Sequence, residues 1–435
     1  MSNKVITFGC RLNEYESQLI KADLEQNQQD NCLVINTCSV TQEAIKKAKN
    51  AIILAKKAYP THKIIVTGCA AQIQANVFAN MSEVHAVLGN KEKLSLSQSL
   101  KANNDLQIDP SLAEISPEKK ISVSNIMREK KVGTEEILVS NFEGRTRAFV
   151  QIQNGCNHRC TFCIIPYARG NNRSIEISKI YNQINKFTDS GYQEIVFTGV
   201  DITDYGKDLP NKPTLAQIIK RILNLCPTLH RLRLSSVDVA EIDNDLFNLM
   251  STEERLMPHM HISLQAGDNT ILQRMRRRHQ REQVIDFCKS LRAARKDIAF
   301  GADIIAGFPT ETDEMFLNTY SLIDEAGLQY LHIFPYSAHP NTPAYYMPQN
   351  PQDVIHKRAK ILRNKGKECL NKFLTNQIGK YTTVLIEKDN KGYSANFIKT
   401  FIPNNAQNIH NTIALVKLDK VVDSKIQASI VQLNA

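Results

Sequence analysis

Two sets of three cysteines offer the most chemistry in this chain. Cys156, Cys160 and Cys163 lie in GCNHRCTFC, a CxxxCxxC spacing within one short stretch. Thiolates this close in sequence can hold a metal centre together. A structural zinc site calls for four ligands in a closed tetrahedron, and His158 is the only nearby fourth candidate. A four-iron cluster held by three cysteines leaves one iron open to a substrate or cofactor, and the three-ligand motif favours that reading. The second set is dispersed. Cys10 follows VITFG, Cys38 follows LVINT and Cys69 follows IIVTG. Each comes just past the carboxyl end of an apolar run with the character of a parallel strand. Such ends share one edge of an open α/β sheet, where ligands gather, so three remote thiols are expected to meet. Cys32, Cys226, Cys288 and Cys369 match no motif and read as packing residues.

The elements that must carry these thiols follow from periodicity. Residues 5–8, 32–36 and 63–67 read as strands, with helical patterns at 14–26 and 41–58, the second opened by Thr41 as a helix cap. This βαβαβ order predicts a parallel sheet with helices on its faces. Residues 101–141 are polar and read as a linker. Between 146 and 337 six strand candidates recur: 147–152, 194–199, 231–236, 259–264, 299–305 and 331–336. Six β-α units are too few for a closed eight-fold barrel, which predicts a partial, open one. Residues 351–373 look helical and basic. Beyond them, 381–387, 393–402, 412–418 and 425–431 predict a small β-barrel. The fold class is therefore α/β with a small C-terminal β-barrel. The domains are expected at 1–105, 142–370 and 371–435, with a linker over 106–141.

Composition bounds the rest. The 435 residues suit about three domains. No apolar run approaches the ~18–20 residues of a membrane span, and the start, MSNKVITFGC, has no apolar core of a signal peptide. A cytoplasmic protein with no membrane partner is expected. Its ten cysteines should stay reduced, which points to metal or redox chemistry rather than cross-links. The net charge of +10 favours a polyanionic partner.

The first cysteine motif, with Phe162 before its last cysteine and a partial barrel around it, resembles the radical S-adenosylmethionine superfamily. The segments GCRLNEYES (9–17), NTCSVTQEA (36–44), TGCAAQ (67–72), GCNHRCTFCIIPYARG (155–170), TGVDITDYG (198–206), LRLSS (232–236), HISLQAG (261–267), DIIAGFPTET (303–312) and IFPYS (333–337) resemble its methylthiotransferase branch. The resemblance runs from residue 5 to about 430. It implies two [4Fe-4S] clusters, one on Cys156, Cys160 and Cys163, the other on Cys10, Cys38 and Cys69. It also implies that S-adenosylmethionine on the open iron of the first is cleaved reductively to a 5′-deoxyadenosyl radical. The second cluster is implied to handle sulfur, which a further S-adenosylmethionine methylates before transfer to carbon. Phe162, Gly199 and Asp201 are placed beside the cofactor. Ser236, Gln265 and Asp303, at or near strand ends, are further cofactor-binding candidates, with capping or turn roles as the alternative.

Three substrates divide this branch: isopentenyladenosine in tRNA, N6-threonylcarbamoyladenosine in tRNA, and a ribosomal-protein aspartate. RLNEYES after Cys10 and CIIPYARG resemble the threonylcarbamoyladenosine group most closely. The implied partners are a tRNA anticodon stem-loop and an electron donor such as flavodoxin or ferredoxin; no sulfur donor is implied. The different class kept open is an RNA-binding protein with structural or redox-sensing clusters.

Several features bear on RNA. Residues 271–296 carry net +7 and residues 356–372 net +6, so both stretches are candidate phosphate contacts, with a solvated helix face as the alternative. The C-terminal module has eight Lys against four acids and resembles the RNA-binding TRAM domain. Its Tyr393 and Phe397 are candidates for base stacking or core packing. Arg169 and Arg173 are candidates for holding an anionic carboxylate. Four positions depart from the family pattern: Ala266 for the usual Ser, Thr310 for Gly, and His339 and Asn341 in the loop after IFPYS.

Overall fold

The computed structural model describes residues 3–104, 116–132, 138–142, 144–403 and 409–433. The N-terminal sheet is fully parallel: β1 (Lys4–Thr7), β2 (Cys32–Thr37), β3 (Lys63–Gly68), β4 (Val84–Leu88) and β5 (Ile121–Ser122), in that order. β2 is buried along its whole length, as a strand covered on both faces must be. The helix Arg11–Gln26 buries Ile20 and Leu24 on one face, and the helix Gln42–Ala58 buries Ile45 and Ile52 on the other. Thr41 caps the second helix, accepting from the Ala44 amide at 3.2 Å. β4 and β5 were not foreseen. β5 belongs to the stretch read as linker, so the sheet reaches past residue 105; residues 105–115 and 133–137 of that stretch lie outside the described ones.

The central unit is an open barrel of parallel strands. β6 (Arg147–Gln151) is followed by a two-residue hairpin, β7 (Gln153–Asn154) with β8 (Arg173–Ser174), which flanks the CxxxCxxC loop. β9 (Glu194–Thr198) pairs with β6 and with β10 (Arg231–Leu234). After Ser235 the chain resumes as β11 (Ser236–Val237), which pairs with β12 (His259–Gln265); β13 (Ala299–Ala306) and β14 (Tyr330–Pro335) follow. All six sequence-expected strands are present. β6 and β14 form the edges of the opening, and no pairing between them closes it among the described residues.

The helix Gln352–Thr375 leads to a closed barrel in the order β15 (Tyr381–Ile386), β16 (Lys391–Ser394), β17 (Lys399–Phe401), β19 (Lys425–Leu433) and β18 (Ile413–Val422). The run read as one strand over 393–402 is two, turned at Phe397, whose φ is +71°. This barrel caps the amino ends of the central strands. Phe397 stacks on His259 with ring centroids 4.6 Å apart, and Arg147 lies 4.2 Å over Tyr393. Both aromatics therefore pack into the interface with the central unit. Beneath them Glu194 is wholly buried between Arg233 (2.8 Å) and Arg231 (3.5 Å). Among the described residues no helix is long and apolar enough to cross a membrane.

Candidate functional site

The hairpin β7–β8 presents the first thiol trio. Gly155 has φ +71°, and a Cβ there would meet the Asn171 carbonyl oxygen at 1.9 Å, so only glycine fits before Cys156. The Cys156 amide donates to the Gly170 carbonyl at 3.1 Å, which closes the loop on itself. Cys160 is buried and Cys156 and Cys163 half-buried. Burial alone would raise the Cys160 thiol, but contacts with His158 and Arg277 outweigh it and pull the thiol below its ordinary value. Arg277 lies 3.6 Å from the Cys160 sulfur and is fixed by Asp238 at 2.9 Å and the Ser263 carbonyl at 2.6 Å. Burial pushes Cys163 up to about 12.

The dispersed trio does converge. Cys10 caps the helix Arg11–Gln26, Cys38 follows β2 and Cys69 opens the helix Cys69–Ile73 directly after β3. A Cβ on Gly9 would touch the Cys38 sulfur at 3.0 Å. Burial, then the Cys69 thiol, push Cys38 up to about 11, with Cys10 adding to the effect. The two trios also adjoin. The helix Ile165–Arg169, which follows Cys163, packs beside the helix Cys69–Ile73, and Asn90 contacts both the Cys69 sulfur (3.9 Å) and the Ala168 carbonyl (2.8 Å). Across the mouth, the Gln42 amide donates to Ser337 at 3.4 Å.

Single ions and clusters make different demands on this geometry. A tetrahedral zinc with Zn–S bonds of ~2.3 Å needs sulfurs about 3.8 Å apart. Among the described residues, the groups of three ligand atoms within 4.8 Å of one another are Cys156–His158–Asp201, His158–Asp204–Glu241 and His261–Asp303–His332; neither cysteine trio is among them. Three free thiols at each site are the donor chemistry of an iron–sulfur cluster with one open iron. His158 lies among thiols and carboxylates alike, within 4.8 Å of the Cys156 sulfur, 3.4 Å from Asp201 and 3.7 Å from Glu241.

The remaining sequence candidates are mostly at the mouth. Phe162 packs edge-on to Phe308, with centroids 6.5 Å apart. Gln153 Oε1 accepts from the amides of Val200 and Asp201, both at 2.9 Å, which sets the loop after β9; a Cβ on Gly199 would meet that same oxygen at 2.7 Å. Burial, then Glu241, push the Asp201 carboxyl up to about 6, and its Oδ2 lies 3.9 Å from the Cys156 sulfur. Ser236 starts β11 and Gln265 ends β12 with φ +71°. Asp303 is different. It sits inside β13, three residues before the strand ends, and accepts from His261 at 2.9 Å and His332 at 3.2 Å. It is hydrogen-bonded within the barrel wall rather than placed at the strand end.

Other expectations are corrected. Arg169 is buried, donating to Glu16 at 2.8 and 2.9 Å, and Glu16 also holds Lys93 at 2.6 Å. Arg173 donates to the Arg169 and Lys131 carbonyls. Neither is available to an outside carboxylate. Within 271–296, Arg274, Arg277, Arg281, Arg292 and Arg295 are taken up by Thr310, Asp238, Glu325 and main-chain carbonyls. Their spacing on a charged stretch concealed internal caps and ties. On the helix Gln352–Thr375, Arg358 and Lys365 are buried, while Lys357, Lys360, Arg363, Lys367 and Lys372 stay exposed. Glu16, Lys93, Asn13, Asp238 and Glu241 were missed because a charge on an amphipathic helix or loop gives no sign that it will be buried.

Comparison with known proteins agrees with this geometry. The chain matches the Radical SAM superfamily over residues 150–323 and a family described as Uncharacterized protein family UPF0004 over residues 3–89. It is 53% identical to a threonylcarbamoyladenosine tRNA methylthiotransferase of Rickettsia prowazekii, covering 92% of this chain and 90% of that protein. The corresponding Aquifex aeolicus protein is 34% identical over 90% of this chain and 94% of its own length. A tRNA-2-methylthio-N(6)-dimethylallyladenosine synthase of Rickettsia conorii is 30% identical over 97% and 98%. Among solved structures, a radical S-adenosylmethionine methyltransferase from Kitasatospora setae shares the fold with a TM-score of 0.55 at 12% identity, over 79% of this chain and 74% of that one. Two converging thiol trios, an open barrel and this extent of identity place the chain in the radical S-adenosylmethionine methylthiotransferase family, whose members use S-adenosylmethionine and two [4Fe-4S] clusters.

Proposed function

We propose that the chain is a tRNA methylthiotransferase that installs a methylthio group at C2 of N6-threonylcarbamoyladenosine, next to the anticodon, in the cytoplasm. The observation that carries this reading is 53% identity, over nine-tenths of both chains, to a protein of that named activity. In this reading residues 1–105 handle sulfur, 142–370 generate the radical, 371–435 contact the RNA, and 106–141 link the first two. Cys156, Cys160 and Cys163 would hold one cluster and Cys10, Cys38 and Cys69 the other. Bound there, the clusters supply reductive cleavage of S-adenosylmethionine and a site for sulfur. The electron comes from a flavodoxin or ferredoxin.

The residues around the thiols have definable tasks. Arg277, held by Asp238, supports the thiolate form of Cys160 that metal binding needs. Gln153 shapes the Gly199–Asp201 loop against the cofactor. Phe162 and Phe308 exclude water beside Cys163. The exposed Lys357, Lys360, Arg363, Lys367 and Lys372, with Arg276, Lys289 and Lys296, are the phosphate contacts left after internal pairs are removed. The test is deletion of the gene followed by mass spectrometry of tRNA nucleosides. Loss of 2-methylthio-N6-threonylcarbamoyladenosine, restored by the gene, is expected; unchanged levels reject the assignment.

A further inference from the structure

A substrate that carries a carboxylate needs a cation the protein has not already neutralised. Most interior arginines fail this test. Arg169 faces Glu16, Arg233 faces Glu194, Arg277 faces Asp238 and Arg147 faces Glu387. Arg11 passes it. It is half-buried, directly follows Cys10, and makes no hydrogen bond or ion pair among the described residues. The acids closest to it electrically, Glu14 and Glu194, are paired with Arg145 (2.8 Å) and Arg233 (2.8 Å). Its other neighbours are cationic, Arg147 and Arg233. A guanidinium in that position gains most from an incoming anion.

A second group is unsatisfied in the same space. His259, on the inner face of the open barrel, is 5% exposed, and neither ring nitrogen has a partner. Burial, then the neighbouring charges of Arg233, His261 and Arg11, keep its imidazole neutral, so it offers one donor and one acceptor. Buried polar groups in native proteins are normally paired.

We propose that Arg11 and His259 form the subsite for the carboxylate-bearing arm of the modified adenosine, with Arg11 taking the carboxylate and His259 hydrogen-bonding the same arm. The inference rests on the substrate assignment above and gives it a specificity residue. Arg11 directly follows a sulfur-side thiol, and the groups it acts on, Arg147, Arg233 and His259, sit on strands of the radical barrel, so one side chain links the two units at the substrate arm. As a guanidinium Arg11 carries its charge at neutral pH. A neutral arm would leave the guanidinium uncompensated, and a charged hydrogen bond lost this way corresponds to about 10- to 100-fold in affinity.

The test uses the reconstituted holoenzyme and three anticodon stem-loops: one with N6-threonylcarbamoyladenosine, one with the carboxylate replaced by a primary alcohol, and one with plain adenosine. Binding is read by fluorescence anisotropy. The wild type should prefer the carboxylate over the alcohol by about 10- to 100-fold, R11Q should lose that preference, and R11K should keep part of it. Equal affinity of the wild type for acid and alcohol overturns the subsite, as does full preference in R11Q. The wild-type comparison stands even if R11Q loses iron. Turnover separates the two claims: a wild type that methylthiolates the acid without preferring it fails only the subsite, whereas one that does not methylthiolate it fails the substrate assignment.

Discussion

The two thiol sites reach the same chemistry by opposite routes. The CxxxCxxC trio sits on one eight-residue loop, so its ligands are close before the chain folds, and the hairpin β7–β8 only has to present them. The dispersed trio is spread over 60 residues and exists only when β1, β2 and β3 lie side by side in register. A contiguous site tolerates loosening of the surrounding fold; an assembled one does not. The buried Arg169–Glu16–Lys93 group lies where the two routes join. Arg169 follows the CxxxCxxC loop, and Glu16 lies on the helix that Cys10 caps.

The comparison is broken most sharply by removing one thiol at a time. C160A should abolish 5′-deoxyadenosine formation. C38A should keep it while abolishing methylthio transfer. Each should lower the iron content from about eight to about four per chain. If C38A also stops radical formation, the two sites are not separate devices. Next comes the joint between them. R169M leaves Glu16 buried opposite Lys93 alone, and stability measured by urea unfolding should fall by about 3–5 kcal/mol; a change near zero would mean that the group does not join the two units.

The third effect lies at the amino ends of the barrel strands. Against burial, which alone would raise it, Arg233 holds the Glu194 carboxyl down to about 2. An acid lowered in the folded state stabilises above its unfolded value near ~4.5, and that contribution is lost as the pH falls through about 2. E194Q should therefore cost about 3 kcal/mol at neutral pH and flatten the acid side of a plot of urea midpoint against pH. An unaltered acid slope would assign that slope to other carboxylates. The smallest effect tests a family departure. Thr310 has φ +68°, a left-handed conformation that a β-branched residue adopts only under strain. Its hydroxyl accepts from Arg274 at 2.8 Å, which offsets part of the cost. T310G should raise stability by about 1 kcal/mol, seen as a higher Tm; a lower Tm would mean that the Arg274 bond outweighs the strain.

The sequence made both thiol sets legible, for different reasons. CxxxCxxC is a spacing, and spacing survives without a structure. Cys10, Cys38 and Cys69 were legible because each follows an apolar run, and parallel strands place their carboxyl ends on one edge. The six barrel strands showed for the same reason. Charges gave the opposite experience. Arg169, Arg173, Arg292 and Arg295 read as available cations, and Tyr393 and Phe397 as available rings, yet each is taken by a partner from a distant segment.

From its residues alone this chain fixes what its strands are and which thiols stand at their ends, because hydrophobic period and cysteine placement are local properties. Only the tertiary structure decides which charges are neutralised and which are left over. Pairing of a buried cation depends on the acid that packs against it, and that acid comes from elsewhere in the chain: Glu16 for Arg169, Glu194 for Arg233, and among the described residues none for Arg11.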